Sequence, residues 1–274
     1  MNIGIIGTGN MGTILVEAMI DGKAISPSSV IITNRTKAKA MLLKNKYKNI
    51  RIAANAVEVA AESDLIFICV KPLQIFKLLD QINPYLSEKK CLISITSPVS
   101  TSQIEKKVSC SIVRVIPSIT NRALSGVSLT TYGENCSDHW RTEVEKLIAK
   151  ISVPVSIDEK ITRVASDIVS CGPAFFSYLL QSFINAAVKE TEIDEETATI
   201  FASEMVVGLG ELLKQGHYTL PSLQEKVCVK GGITGEGIKV LENEMGNMFE
   251  HVFQATHAKF KEDLHKVEVQ FSNH

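Results

Sequence analysis

Six residues near the start of the chain, Gly7-Thr8-Gly9-Asn10-Met11-Gly12, constrain its fold more than any other segment. They follow the apolar run Ile3 to Ile6, which reads as a strand, and they open a helical pattern carried by Ile14, Leu15 and Ala18. The first glycine permits a tight turn, the second lets backbone approach a pyrophosphate, and the third lets helix and strand pack closely. The helix N-terminus then offers unpaired amides to the anion. Three such glycines alone are a weak signal, but between a strand and a helix they point to a dinucleotide.

From there to about Ile157, short apolar runs alternate with helical patterns. The runs are Val30 to Thr33, Leu65 to Val70, Leu92 to Ile95, Ile112 to Ile116, Gly126 to Tyr132 and Val153 to Ile157. This rhythm predicts βαβ units and a mostly parallel sheet. After Asp64 the run Leu65 to Val70 is apolar at every position, as a strand covered on both faces must be. A helix is expected from about Ser137, with Trp140, Val144, Leu147 and Ile148 on one side. The fold class is therefore α/β: a doubly wound Rossmann domain over 1–158, followed by an all-α domain over 159–274.

In the second half, helical periods run from Ile161 to Thr191, Glu195 to Gln215 and Gly237 to about Val267. Gly172-Pro173 is expected to start a new helix or kink a long one, because proline lacks the amide donor. Phe175, Phe176, Tyr178, Leu179, Leu180, Phe183 and Ile184 make the following helix apolar on more than one face. A domain this small cannot cover such a helix, so a homodimer or higher homo-oligomer is expected.

With 29 basic and 30 acidic residues among 274 and no long run of either sign, no nucleic-acid footprint is present. The start lacks a secretory signal, and no stretch reaches 18 uninterrupted apolar residues, so a cytoplasmic protein without a membrane partner is expected. The six cysteines form no CxxC pair and are read as reduced thiols. His139, His217, His251, His257, His265 and His274 show no ligand spacing, so no metal site is expected.

The tip of the second strand distinguishes the nicotinamide cofactors, since an acid there accepts from the free ribose 2'-hydroxyl of NAD. Here it reads Thr33-Asn34-Arg35-Thr36. Arg35 can pair with a 2'-phosphate while Asn34 and Thr36 donate, which favours NADP(H).

The glycine loop, Asn34-Arg35-Thr36, Val70-Lys71-Pro72, Cys171-Gly172-Pro173-Ala174-Phe175 and Gly231-Gly232-Ile233-Thr234 occur in the order found in pyrroline-5-carboxylate reductases. The chain resembles that family over nearly its whole length. The resemblance implies a Rossmann domain, a helical dimerisation domain and a substrate pocket where the two meet. It implies pyrophosphate contacts from the loop Gly7 to Gly12, and 2'-phosphate contacts from Asn34, Arg35 and Thr36. Asn55, Val70, Lys71 and Pro72 would line the rest of the cofactor groove. The family holds its substrate carboxylate with an SPGG-x-T segment, which here is Val229-Lys230-Gly231-Gly232-Ile233-Thr234. The serine has become Val229 and the proline Lys230. Three further segments depart from the family: Thr96-Ser97-Pro98, Ile116-Pro117-Ser118 and Val169-Ser170-Cys171.

Reducing a cyclic imine needs a hydride carrier and a carboxylate tether more than a catalytic acid. Thr234 could donate to the imine or the carboxylate, or merely cap the helix that starts there. Lys71 stands at a strand's carboxyl end, where open α/β sheets bind ligands, and with Pro72 beside it a positional role is as open as a chemical one. Two classes of function follow: an NADPH-dependent reductase of 1-pyrroline-5-carboxylate or a related imine acid, or a catalytically weak, NADP-binding regulatory protein in a programme such as competence. A β-hydroxyacid dehydrogenase would want a lysine within Ala165 to Ala174, and none is there.

Overall fold

The computed structural model describes residues 1–272, so His274 lies outside the described residues. Eight strands form one sheet: β1 (Ile3–Ile6), β2 (Val30–Thr33), β3 (Arg51–Ile52), β4 (Leu65–Ile68), β5 (Cys91–Ser94), β6 (Ser111–Ile116), β7 (Val127–Tyr132) and β8 (Val153–Ser156). Their order is β3-β2-β1-β4-β5-β6-β7-β8, and every neighbouring pair is parallel except β6 with β7. The order reverses at β1, leaving the crevice that doubly wound sheets use for ligands. This is the expected Rossmann-like sheet.

Alternation explains why its strands are wholly apolar. Leu65 and Phe67 enter the core on one face of the sheet, Ile66 and Ile68 the core on the other. The first core is covered by α1 (Asn10–Asp21) and by α6 (Asp138–Ile148), whose Trp140, Val144, Leu147 and Ile148 are all buried. The second is covered by α3 (Ala56–Glu62), α4 (Pro72–Ile82) and α5 (Thr101–Glu105). One further helix, α2 (Lys37–Lys46), follows β2.

After β8 come α7 (Thr162–Ser166), a π-helical turn (Asp167–Cys171), α8 (Gly172–Glu190), α9 (Glu195–Lys214), α10 (Leu220–Val227), α11 (Ile233–Met245) and α12 (Met248–Ser272). Three sequence expectations are corrected and one is met. The strand expected to reach Val70 stops at Ile68, because Cys69 and Val70 already turn towards Pro72. The short edge strand β3 was not expected. As expected, Gly172-Pro173 opens α8, directly after the π-helical turn, where a proline in the first helical turn has no intrahelical amide bond to lose. The helix expected from Gly237 to Val267 is two helices, parted at Gly246, which has a φ of 45°.

Strand alternation ends at β8, but compactness follows another line: residues 1–173 and the chain from Ala255 onward form one unit, and Ala174–Gln254 the other. In the first unit Val267 is fully buried in the second core, and Phe271 meets Phe76 edge-on at 5.1 Å. In the second unit only Ile184, Ala198 and Ala202 are buried apolar side chains, whereas Phe176, Tyr178, Phe183, Phe201 and Val207 lie exposed.

Candidate functional site

At the carboxyl ends of β1, β2 and β4 lies a groove of about 740 Å³. The glycine loop forms its floor, and its three glycines answer to different demands. Gly7 has a φ of 103°, and a Cβ there would stand 2.5 Å from the carbonyl oxygen of Cys69. At Gly12 a Cβ would stand 2.1 Å from the Gly7 carbonyl oxygen. The fold itself requires both. Gly9, in ordinary extended backbone, would meet nothing within 4 Å. The space over Gly9 faces the first amides of α1, which no side chain caps, so it suits an anion.

Asn34 ties this loop to the next turn. Its Oδ1 accepts from the Thr8 amide at 3.0 Å, and its Nδ2 donates to the Thr36 carbonyl at 3.0 Å. These two bonds latch the turns together, and Arg35 and Thr36 line the same cavity; the Thr36 hydroxyl makes no capping bond to α2. Asn55 lines the groove while its Oδ1 caps α3 by accepting from the Glu58 amide at 3.0 Å. Gly7, Gly9, Asn34, Arg35, Thr36, Asn55, Val70 and Lys71 thus share one cavity. Thr8 and Asn10 lie in a smaller cavity with Gly9 over α1 and α2. Met11 and Gly12 line neither, and Pro72 faces a third cavity. Sequence reading missed Lys37, Lys39, Leu73, Gln74, Lys77 and Gln81 of the groove. The spacing 73, 77, 81 along one face of α4 is the signal that could have found the four on that helix, and no comparable signal marks Lys37 and Lys39 on α2.

The third cavity, about 610 Å³, lies by Pro72 and the departing segment Thr96-Ser97-Pro98. The buried Arg114 guanidinium holds that segment, its Nη1 donating to the Ser97 carbonyl at 3.3 Å and its Nη2 to Thr162 Oγ1 at 2.9 Å. Burial pushes Arg114 below its ordinary pKa, and Glu159 opposes this. On the far wall the fully buried Asp167 carboxylate accepts from Arg163 Nη2 and from Thr256 Oγ1, each at 2.8 Å. His257 Nε2 is 3.5 Å from the same carboxylate. The other two departing segments bond to one another. Ser118 Oγ donates to the Val169 carbonyl and Ser170 Oγ to the Pro117 carbonyl, both at 2.7 Å.

The loop Val229 to Thr234 belongs to the second unit. Gly231 takes a φ of 75°, Gly232 caps α11 with no side-chain bond, and Thr234 sits inside the helix, so it does not serve as the cap. The Thr234 hydroxyl and the Lys230 ammonium have no partner among the described residues.

A pyrroline-5-carboxylate reductase from Methanobrevibacter smithii is 30% identical over 88% of this chain and 97% of its own length. The chain belongs to the pyrroline-5-carboxylate reductase family. Residues 159–263 match the family described as pyrroline-5-carboxylate reductase dimerisation, and residues 2–98 the one described as NADP oxidoreductase, coenzyme F420-dependent. ComE operon protein 4 of Bacillus subtilis is 55% identical over 99% of both chains. The Plasmodium falciparum pyrroline carboxylate reductase with NADP bound shares the fold, with a TM-score of 0.83, 24% identity and coverage of 97% and 98%. This is an NADP-binding oxidoreductase family, and the open space over Gly9, the acid-free groove and the uncapped α1 fit that cofactor.

Among the described residues no group of three metal-ligating side chains occurs, and no helix is long and apolar enough to cross a membrane. Cys91, Cys110 and Cys136 are buried and Cys69, Cys171 and Cys228 half-buried; all six are free, and burial pushes the Cys110 thiol up to about 12.

Proposed function

We propose that this chain is an NADPH-dependent reductase of a cyclic imine acid, with 1-pyrroline-5-carboxylate to proline as its reaction type, acting in the cytoplasm. The observation that carries this reading is Gly9, a glycine the fold leaves free, standing over an uncapped helix N-terminus beside a groove without acids. NADPH supplies the hydride when bound. Gly9 and the first amides of α1 would hold its pyrophosphate, and Arg35 and Thr36 its 2'-phosphate, with Asn34 holding both turns in place.

On the substrate side, the amides that open α11 at Gly231 and Gly232 would tether the carboxylate, and Thr234 would donate its hydroxyl to the carboxylate or, for an imine that arrives unprotonated, to its nitrogen. An imine protonated before it binds needs orientation more than a protein acid. The exposed aromatic faces of α8 and α9 support assembly with a second copy of the chain. Light scattering should return about twice 30.0 kDa, and a monodisperse monomer at micromolar concentration would remove that reading.

A second reading, an NADP-binding protein with weak turnover and a regulatory role, is favoured by Val229 in place of the family's serine and by the similarity to ComE operon protein 4. Turnover of purified protein with NADPH and 1-pyrroline-5-carboxylate decides between them. Steady conversion at about 10 per second or faster, an ordinary enzyme rate, supports the reductase. Tight NADPH binding with negligible conversion supports the second reading.

A further inference from the structure

The turn after β2 does not account for all the positive charge of the cofactor groove. Arg35 and Lys37 come from that turn and the start of α2, Lys39 from α2, Lys71 from the cap of α4, and Lys77 from α4 itself. Five cations line this cavity, and no Asp or Glu does. None of the five forms an ion pair among the described residues, whereas other cations of the same unit are paired: Lys46 with Glu17, Arg51 with Glu58, Lys107 with Asp80. The formal net charge of the sequence is only -1, so this concentration is local. Like charges around one cavity repel, and a polyanion bound among them relieves that repulsion.

The phase of α4 fixes which side chains face the groove. Leu73, Gln74, Lys77 and Gln81 recur at spacings of three and four along it, while Ile75, Leu79 and Ile82 are fully buried in the second core. The helix is held at that rotation from outside as well: Gln270 Nε2 donates to the Leu73 carbonyl at 3.2 Å, and Lys107 Nζ sits 3.8 Å over the Phe76 ring. The backbone of Lys77 is therefore fixed on the groove side of α4. In the sheet, β2 and β4 flank β1, so the turn carrying Arg35 and the helix carrying Lys77 stand on opposite sides of the glycine loop.

We propose that Lys77 is a second reader of the 2'-phosphate, so that this group is held by one cation from each side, Arg35 and Lys77. The proposal rests on the groove taking NADP(H), and is independent of which imine is reduced. The test is fluorescence titration of the full chain and of Lys77→Gln with NADPH and, separately, NADH. The expected result is a Kd for NADPH raised about three- to tenfold, as for one partly exposed charge-assisted contact, with the Kd for NADH within about twofold. Equal weakening of both cofactors would place Lys77 on the pyrophosphate and overturn the proposal, as would no change in either. Lys77→Arg, which keeps the charge, should retain the preference; its loss there would assign Lys77 a packing role instead. A parent protein that binds both cofactors equally would fail at the earlier step, the NADP(H) reading itself.

Discussion

The N-termini of α1 and α11 are built from similar parts: a glycine at the cap, no side chain bonded to the first amides, and a hydroxyl close by in Thr8 or Thr234. They differ in what stands over the glycine. A Cβ on Gly9 would meet nothing, whereas one on Gly232 would stand 2.9 Å from Val229 Cγ2. A methyl of the chain itself lies against the second cap, at the position where the family carries a hydroxyl. One helix end is left open for a ligand and the other is partly covered by an apolar side chain. An anion site can thus keep its amides and lose the partner that orients the anion.

The most severe way to break this comparison is to fill the open end. Gly9→Val should weaken NADPH binding about a hundredfold, roughly 2.7 kcal/mol, while the melting temperature stays unchanged, because the extended backbone at Gly9 accepts any residue. Gly7→Ala should do the reverse and lower stability first, since its Cβ would meet the Cys69 carbonyl. Titration and thermal unfolding of both variants check this, and equal NADPH affinity in Gly9→Val would leave its open space without a purpose.

The converse operation restores the covered end. Val229→Ser with Lys230→Pro should raise kcat/KM for 1-pyrroline-5-carboxylate about ten- to a hundredfold, the effect of returning one hydroxyl to a carboxylate. The Kd for NADPH should stay the same. If kcat/KM does not rise, Val229 is not what limits the second helix end.

Arg35→Asp sharpens the first site. The parent should bind NADPH at least about tenfold more tightly than NADH, because Arg35 makes a charge-assisted contact that NADH lacks. The variant should lose that preference, and full inversion should require Lys77 to be neutralised as well. A tenfold preference surviving Arg35→Asp would transfer the reading to Thr36 and Lys77.

The smallest effect concerns the framework. Ser170→Ala removes the bond to the Pro117 carbonyl and should cost about 1 kcal/mol, or roughly 2–4 °C in Tm, with cofactor affinity unaltered. An unchanged Tm would show that the reciprocal serine bonds carry no stability.

The sheet was legible because its strands are buried on both faces and therefore uniformly apolar, and the glycine loop because all its constraints lie within six residues. Arg51–Ile52 was not, being two residues long with one of them charged. The bond between Thr256 and Asp167 joins residues 89 apart, and no periodicity records it. The cofactor residues on β1 and β2 sit in motifs, but Lys77 owes its place to the rotation of α4. Asn34 was legible as a groove residue, yet its part as a latch between two turns depends on atoms of Thr8 and Thr36.

The compact unit that holds the sheet is completed by a segment far along the chain, with Val267 of α12 inside the core that β4 and α4 build and Phe271 against Phe76. During synthesis, therefore, the sheet emerges well before the helix that finishes its core. That sheet can pair early, but the Phe76 side of α4 stays uncovered until α12 has left the ribosome. A stop codon anywhere before that helix would cost both units: the helical one would lose its own residues, and the other the last side chains that close its core.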